Sequence, residues 1–164
     1  MVKAIFLDRD GVINNNKVPY YITRPEDFEL NNGITYALKA LIDKGFQLII
    51  ISNQGGISKK IYSKKDCDSV HEKLVDIMSG HGITFNEIYY CPHHPEIENC
   101  LCRKPQTLMF EKALARFDID RSKSWMIGDS EKDITGAEKA GLKSILVRQN
   151  EDIRKYISRI TDGI

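Results

Sequence analysis

The chain has 164 residues, which suits one domain with a full hydrophobic core and is too short for two large domains. Hydrophobic residues make up 41% and charged residues 29%, a composition that excludes a disordered chain. Its 24 basic and 23 acidic residues leave a net charge of +1, so charge gives no reason to expect nucleic acid or a membrane surface as a partner.

Short apolar runs alternate with helical patterns along the chain. Five runs predict buried β-strands: 3–8, 46–51, 87–90, 124–127 and 144–147. Apolar residues at helical spacing predict helices within 34–42, 70–78, 110–117 and 134–140, and a short terminal helix is predicted from residue 151. This alternation predicts an α/β fold: one domain over residues 1–164, with a doubly wound, Rossmann-like parallel sheet between two layers of helices.

Two long stretches, 11–32 and 91–106, are predicted to lack regular structure. Loops of this length in a compact domain usually carry function. The helix boundaries are marked by residues that favour caps and turns: Gly45, Ser63, Gly80 or Gly82, and Gly141.

Polar residues follow four of the predicted strands, at the point where each strand ends. They are Asp8 and Asp10, Ser52 and Asn53, Cys91 and His93, and Gly128 and Asp129. In open parallel sheets, ligands bind outside the carboxyl ends of the strands. The sequence therefore predicts that these scattered residues form one site.

Asp8 and Asp10 are two residues apart, directly at the end of the first strand. A carboxylate can attack phosphorus and form an aspartyl-phosphate, while a second one can protonate the leaving oxygen and then activate water. Adjacent carboxylates repel each other, so a divalent cation is expected to hold them, and Asp129 and Asp133 offer further oxygens. Mg²⁺ suits such ligands together with a phosphate. On its own, the Asp-x-Asp pattern also fits a solvated turn.

The turn Ser52-Asn53-Gln54-Gly55-Gly56 offers a hydroxyl, amides and N–H groups that can cradle phosphate oxygens. A plain strand-to-helix turn is the alternative. Lys104 can neutralise charge on the phosphoryl oxygens and on Asp8, whereas a lone lysine is more often a solvated surface residue.

The loop after the third predicted strand contains three of the four cysteines. Cys91, His93, Cys100 and Cys102 form a Cys₃His set suited to tetrahedral Zn²⁺. Four protein ligands make a closed, structural site, which would hold the loop and the basic pair after it over the pocket. Reduced cysteines in a mobile loop are the alternative, and a disulfide is disfavoured in a cytoplasmic protein.

Four segments occur in a familiar order: DRDG, SNQGG, RKP and GDSEKDI. They resemble the four motifs of the haloacid dehalogenase (HAD) superfamily of phosphatases, over about residues 4 to 147. The segments CPHHP and CLCRKP narrow the resemblance to the branch of histidinol-phosphate and heptose-bisphosphate phosphatases. Members of this branch lack a large cap domain, which fits the absence of a sizeable insertion here.

The resemblance implies a role for each matched residue. Asp8 would be the nucleophile and Asp10 the general acid and base, while Ser52 and Lys104 would bind the transferring phosphoryl group. The implied Mg²⁺ ligands are Asp8, Asp10 through its backbone carbonyl, and Asp129. The implied Zn²⁺ ligands are Cys91, His93, Cys100 and Cys102. The expected substrate contacts are Arg103, Asn53, Gln54 and Gly55.

The resemblance implies a Mg²⁺-dependent phosphomonoesterase with a small phosphorylated substrate. The segments IYYCPHHP and YYITRPEDFEL favour removal of the 7-phosphate of D-glycero-D-manno-heptose 1,7-bisphosphate, whereas the short gap between His93 and Cys100 favours histidinol phosphate. A zinc-stabilised binding module with an inactive site and a phosphotransferase stay open as alternatives. Ser52 stands where Thr is more common, and Ser130 where this branch often has a basic residue.

No apolar run reaches 18 residues, and Asp8 comes too early for the apolar part of a secretory signal. The chain is therefore expected to be cytoplasmic, without a membrane or nucleic-acid partner. We expect it to act as a monomer.

Overall fold

The computed structural model describes residues 1–162. Within them, strands and helices alternate as predicted. The strands are β1 (Lys3–Leu7), β2 (Phe46–Asn53), β3 (Glu87–Cys91), β4 (Trp125–Gly128) and β5 (Lys143–Leu146). The α-helices are α1 (Ile34–Asp43), α2 (Lys64–Gly80), α3 (Leu108–Arg116), α4 (Glu131–Lys139) and α5 (Ile157–Thr161). Short 3-10 turns occur at Pro25–Asp27, Arg121–Lys123 and Ile153–Tyr156.

The strands form one parallel sheet in the order β3-β2-β1-β4-β5. The chain runs from β1 outward to β3 and then returns to place β4 and β5 on the other side. The predicted α/β fold with a parallel sheet is therefore confirmed. A sheet whose strand order reverses in this way opens a crevice at the carboxyl end of its central strand, and here that strand is β1.

The residues of β1 alternate between two cores, because successive side chains of a strand point to opposite faces of the sheet. Ile5 and Leu7 belong to the core that contains α1 and α2. Ala4 and Phe6 belong to the core that contains α3 and α4. All four are fully buried, so the end of β1 is fixed at the centre of the molecule.

The strand ends differ from the predicted ones by one or two residues. The largest difference is in β2, which continues through Ser52 and Asn53 because these residues pair with Tyr90 and Cys91 of β3. The turn predicted from Ser52 therefore begins at Gln54. This correction places the Ser52 hydroxyl on the rigid sheet and not on a loop.

The helix limits follow the capping residues. Ser63 accepts a hydrogen bond from the N–H of Asp66, and the Asp66 side chain accepts one in return, so α2 begins with the capping box that its sequence favours. None of the helices within residues 1–162 is both long and apolar enough to cross a membrane.

Candidate active site

The carboxyl ends of the strands surround a cleft of about 440 Å³. Loops that follow parallel neighbours meet at one edge of the sheet, so the cleft lies where β1, β2 and β4 end. The structure brings most of the predicted site residues to its walls: Asp8, Asp10, Asn53, Gln54, Arg103, Lys104 and Asp129. Ser52 is buried next to them, and its hydroxyl accepts a hydrogen bond of 2.8 Å from Gln54 Nε2.

Lys104 is a buried cation held by two carboxylates. Its Nζ lies 3.0 Å from Asp8 Oδ1 and 2.5 Å from Asp133 Oδ1, and only 1% of its side chain is exposed. It also donates a hydrogen bond of 2.6 Å to the carbonyl oxygen of Ile51. Burial by itself would lower the pKa of Lys104, but the attraction of Asp133 and Asp8 outweighs it and raises this pKa. Lys104 therefore stays charged beside Asp8.

Three carboxylates, those of Asp8, Asp129 and Asp133, converge so that one oxygen of each lies within 4.8 Å of the others. Burial and the charge of Asp133 raise the pKa of Asp8 to about 8, although Lys104 acts in the opposite direction. Burial also raises the pKa of Asp129 to about 6, with a further contribution from Asp133. A divalent cation relieves such crowding of negative charge, and oxygen is the ligand that Mg²⁺ prefers. The cluster therefore fits the predicted Mg²⁺.

Asp133 also shapes the first turn of α4. Its Oδ2 accepts hydrogen bonds from the Ser130 N–H and hydroxyl, at 3.1 Å and 2.8 Å, in a capping box. Its Oδ1 faces Lys104. A Cβ at Gly128 would lie 2.2 Å from the Asp133 Cβ, so only glycine lets β4 end this close to the cap. Asp133 thus links the start of α4 to the buried lysine.

Gly11 lets the loop after β1 approach Asp129. It has φ +84°, and a Cβ on it would lie 2.1 Å from Asp129 Oδ2. Both the backbone conformation and the space therefore require glycine at this position.

The Asp10 carboxylate faces a set of donors. Arg9 binds it through Nε and Nη2 at 2.9–3.2 Å, Asn14 Nδ2 donates to Oδ1 at 3.0 Å, and Gln54 Nε2 donates to Oδ2 at 2.8 Å. Burial alone would raise the pKa of Asp10, but Arg9 and these hydrogen bonds outweigh it and lower the pKa. Asp10 is thus held by these donors and is not one of the three converging carboxylates, although it lines the same cleft.

Two residues of the predicted phosphate cradle bind protein groups. Asn53 brackets Lys104: its Nδ2 donates to the Lys104 carbonyl oxygen at 3.2 Å, and its Oδ1 accepts from the Lys104 N–H at 3.0 Å. Gln54 donates to Asp10 and Ser52 and accepts from the Tyr62 hydroxyl at 2.6 Å. Their expected contact with substrate stays a prediction, and the structure gives both a role in holding neighbouring residues.

The four predicted zinc ligands come together. Sγ of Cys91 lies 3.6 Å from that of Cys100 and 3.0 Å from that of Cys102, while His93 Nδ1 lies 3.4 Å and 3.2 Å from Cys91 and Cys102. All four ligand atoms lie within 4.8 Å of one another. Tetrahedral zinc at about 2.3 Å from sulfur sets ligand atoms roughly 3.5–4 Å apart, whereas a disulfide needs about 2 Å. The cluster is therefore close in size to a zinc site, and the cysteines are free.

Arg103 follows this cluster and lines the cleft. Its Nη1 donates a hydrogen bond of 2.9 Å to the carbonyl oxygen of His93. A Cβ at Gly55 would lie 2.9 Å from the same Nη1 and 3.1 Å from the His93 carbonyl oxygen. Gly55 therefore gives the cysteine loop room to pack onto the turn after β2.

The sequence analysis missed several residues of the cleft and its support. Arg9 is only 1% exposed although it lies between two candidate catalytic aspartates. Tyr20, Tyr21 and Tyr62 form an aromatic wall of the cleft: the ring centroids of Tyr20 and Tyr21 are 5.0 Å apart, and those of Tyr21 and Tyr62 are 6.0 Å apart. Lys132 also lines the cleft. The tyrosine pair inside the long stretch 11–32 was the available signal for this wall.

A parallel α/β sheet with clustered carboxylates and a buried lysine at its carboxyl edge fits the phosphatase class that the motifs predicted. Comparison with known proteins leads to the same class. Residues 101–161 match the family described as HAD-hydrolase-like. The chain is 38% identical over 158 residues to the D-glycero-beta-D-manno-heptose-1,7-bisphosphate 7-phosphatase of Haemophilus ducreyi, which covers 92% of this chain and 86% of that protein.

Two further similarities are to a bifunctional protein and to a crystal structure. The chain is 37% identical over 160 residues to the histidine biosynthesis bifunctional protein of Legionella pneumophila, covering 98% of this chain and 45% of that protein. The D,D-heptose 1,7-bisphosphate phosphatase of B. bronchiseptica, solved with magnesium and phosphate, aligns with a TM-score of 0.83 at 28% identity, over 96% of this chain and 86% of that one. The chain belongs to the HAD-like hydrolases and is a phosphatase of that family, as its motifs predicted.

Proposed function

We propose that the chain removes the 7-phosphate of D-glycero-D-manno-heptose 1,7-bisphosphate in two steps through Asp8. The observation that carries the mechanism is the position of Asp8, which faces the cleft with Lys104 at 3.0 Å and an Asp129 oxygen within 4.8 Å. The substrate is supported by the 38% identity to the Haemophilus enzyme over most of both chains.

In the first step, a carboxylate oxygen of Asp8 attacks phosphorus and the bond to the ester oxygen breaks. The leaving oxygen takes a proton from Asp10. Lys104 favours the ionised form of Asp8 and stabilises charge on the phosphoryl oxygens. The donors around Asp10 lower its pKa, whereas the negative charge of a phosphate in the cleft raises it and so favours the proton that this step needs.

In the second step, water attacks the phosphorus of the aspartyl-phosphate. Asp10, ionised after the first step, accepts a proton from this water. The bond between phosphorus and the Asp8 oxygen breaks, inorganic phosphate leaves, and Asp8 returns as a carboxylate. One residue on a single loop thus serves as acid and then as base.

Two metal ions complete the proposal. Asp8, Asp129 and the backbone carbonyl of Asp10 would hold Mg²⁺, which supplies positive charge that favours ionised Asp8 and offsets the charge of the phosphate. Cys91, His93, Cys100 and Cys102 would hold a structural Zn²⁺. The zinc would fix the loop that carries Arg103 and Lys104.

Histidinol phosphate is the second candidate substrate. It is favoured by the 37% identity to the histidine biosynthesis protein, which extends over 98% of this chain. The short gap between His93 and Cys100 points the same way. Because specificity is a ratio of kcat/KM values, the two esters are compared on one Mg²⁺-loaded preparation, and the larger value identifies the substrate.

The Asp8→Asn variant tests covalent catalysis. We expect it to lose activity by about a thousandfold or more, since a neutral amide is a poor nucleophile. Asp43→Asn is the matched control, because Asp43 is exposed at the end of α1. Phosphate release by Asp8→Asn within tenfold of the parent (on the order of a 1.4 kcal/mol change in barrier) would contradict the mechanism.

A further inference from the structure

Gln54 joins Asp10 to a buried tyrosine hydroxyl. Its Nε2 donates to Asp10 Oδ2 at 2.8 Å and to Ser52 Oγ at 2.8 Å. Its Oε1 accepts from the Tyr62 hydroxyl at 2.6 Å and from Arg9 Nη2 at 3.3 Å. Every polar atom of this side chain therefore has a partner within the protein.

The direction of the Gln54 amide follows from these partners. Turning the amide over would place its NH₂ group against the Arg9 guanidinium, a donor, and its oxygen against the Asp10 carboxylate, an acceptor. The Tyr62 hydroxyl adds a second donor on the oxygen side. Arg9 and Asp10 therefore set the direction of the amide, and the hydrogen bond from Tyr62 holds its oxygen end in place.

Tyr62 is itself held in place. It is 7% exposed, and its ring packs on Gly56, where a Cβ would lie 2.2 Å from the ring atom Cε1. The ring also lies 6.0 Å from that of Tyr21. Gly56 therefore lets the hydroxyl reach Gln54 from the turn between β2 and α2.

We propose that Tyr62 is a positioning residue that acts through Gln54 to aim the Asp10 carboxylate at the water that hydrolyses the aspartyl-phosphate. This inference rests on the proposed function. Arg9 and Asn14 hold Oδ1 of Asp10, whereas Oδ2 is held by Arg9 Nη2 at 2.9 Å and by Gln54 Nε2 at 2.8 Å. The hydrogen bond from Gln54 is the contact that ties Oδ2 to the turn after β2.

The test uses Tyr62→Phe, which removes the hydroxyl and keeps the packed ring. The probe is p-nitrophenyl phosphate with Mg²⁺, because its phenolate leaves without a proton and kcat/KM then reports formation of the aspartyl-phosphate only. We expect kcat to fall about three- to tenfold, the worth of one hydrogen bond, while kcat/KM stays within about twofold. A burst of p-nitrophenol should precede the slow steady state, since the intermediate accumulates.

Two variants complete the design. Tyr156→Phe removes a hydroxyl that donates to Glu151, away from the cleft, and should keep the parent values of both constants. Gln54→Met removes the amide, and the double variant Tyr62→Phe/Gln54→Met should lose no more kcat than Gln54→Met alone, because Tyr62 acts only through Gln54.

An unchanged kcat in Tyr62→Phe, an equal fall of kcat and kcat/KM, or losses that multiply in the double variant would each overturn the inference. Absence of turnover in the parent protein with both p-nitrophenyl phosphate and the sugar bisphosphate would instead overturn the proposed function. The two failures are therefore distinguishable.

Discussion

The Lys104 ammonium lies 2.5 Å from one oxygen of Asp133, and the other oxygen of that carboxylate caps helix α4. The carboxylate that pairs with this buried lysine therefore also caps the first turn of a helix. Removal of Asp133 would leave a buried cation with less negative charge around it and an α4 without its cap.

We expect Asp133→Ala to lower the free energy of unfolding by about 1–3 kcal/mol, because Lys104 then keeps only Asp8 as an ion partner and α4 loses its cap. Urea unfolding monitored by circular dichroism measures this change. Glu131→Ala is the control in the same helical turn, since Glu131 is exposed. Equal losses in the two variants would contradict a special role for Asp133.

The close approach of Gly11 to Asp129 predicts that a larger residue at position 11 would weaken Mg²⁺ binding. Gly11→Ala adds a Cβ 2.1 Å from Asp129 Oδ2, so the carboxylate must move, and we expect Mg²⁺ to bind about tenfold or more weakly. Titration calorimetry with Mg²⁺ alone measures the affinity. Gly82→Ala is the matched control, because Gly82 has a similar φ of +71° but nothing within 4 Å of its Cβ position. If Gly11→Ala bound Mg²⁺ as tightly as the parent protein, the predicted displacement of Asp129 would be wrong.

The Cys₃His cluster predicts one zinc ion per chain. Cys100→Ser should lower the zinc content and expose the segment 91–106 to limited proteolysis, because the loop then loses a ligand that ties it down. Cys67→Ser should keep the zinc, since Cys67 is buried in α2 outside the cluster. Elemental analysis and mass spectrometry of the cleavage products measure both effects. Unchanged zinc content in Cys100→Ser would exclude it as a ligand.

The lowered pKa of His71 predicts that the folded protein loses stability in acid. Burial, and then the charge of Arg9, lower its pKa from 6.5 to about 4, and its Nε2 lies 3.0 Å from Arg9 Nη1. Between these two pH values the unfolded chain binds more protons than the folded one, so stability is lost as the pH falls from about 6.5 towards 4. The full loss from this residue is on the order of 3 kcal/mol.

Urea unfolding at pH 7 and pH 5 measures this effect. The difference in unfolding free energy between the two pH values should be smaller in His71→Gln, which cannot titrate, than in the parent. His81→Gln is the control, because His81 is exposed at the end of α2. The same pH dependence in His71→Gln and in the parent would contradict the prediction.

The sequence predicted the sheet and the edge at which the site lies, because burial repeats with the period of each element and parallel strands deliver their ends to one side. The placement of Asp8 and Asp129 followed from these two facts. The Cys₃His cluster was recognisable from ligand type and spacing. The limits of β2 were not, since the pairing of Ser52 with Tyr90 depends on the neighbouring strand.

The support of the site could not be read from the sequence. The sequence analysis assigned no role to Arg9, which is buried and pairs with Asp10. Gln54 was expected to face the substrate, and its partners Tyr62 and Asp10 are separated from it by 8 and 44 positions. Side-chain contacts over such distances leave no periodic pattern in the chain.

Asn53 contacts the N–H and the carbonyl oxygen of Lys104 as an adjacent strand would. These two hydrogen bonds fix the backbone of Lys104 to β2. Its position therefore does not depend on the length of the chain between residues 94 and 99. Pro95, Glu98 and Asn99 of that segment line a second, smaller pocket beside Arg103 and Lys104, so insertions or deletions there would reshape this pocket. The segment can therefore change in length while Lys104 keeps both of its contacts with Asn53.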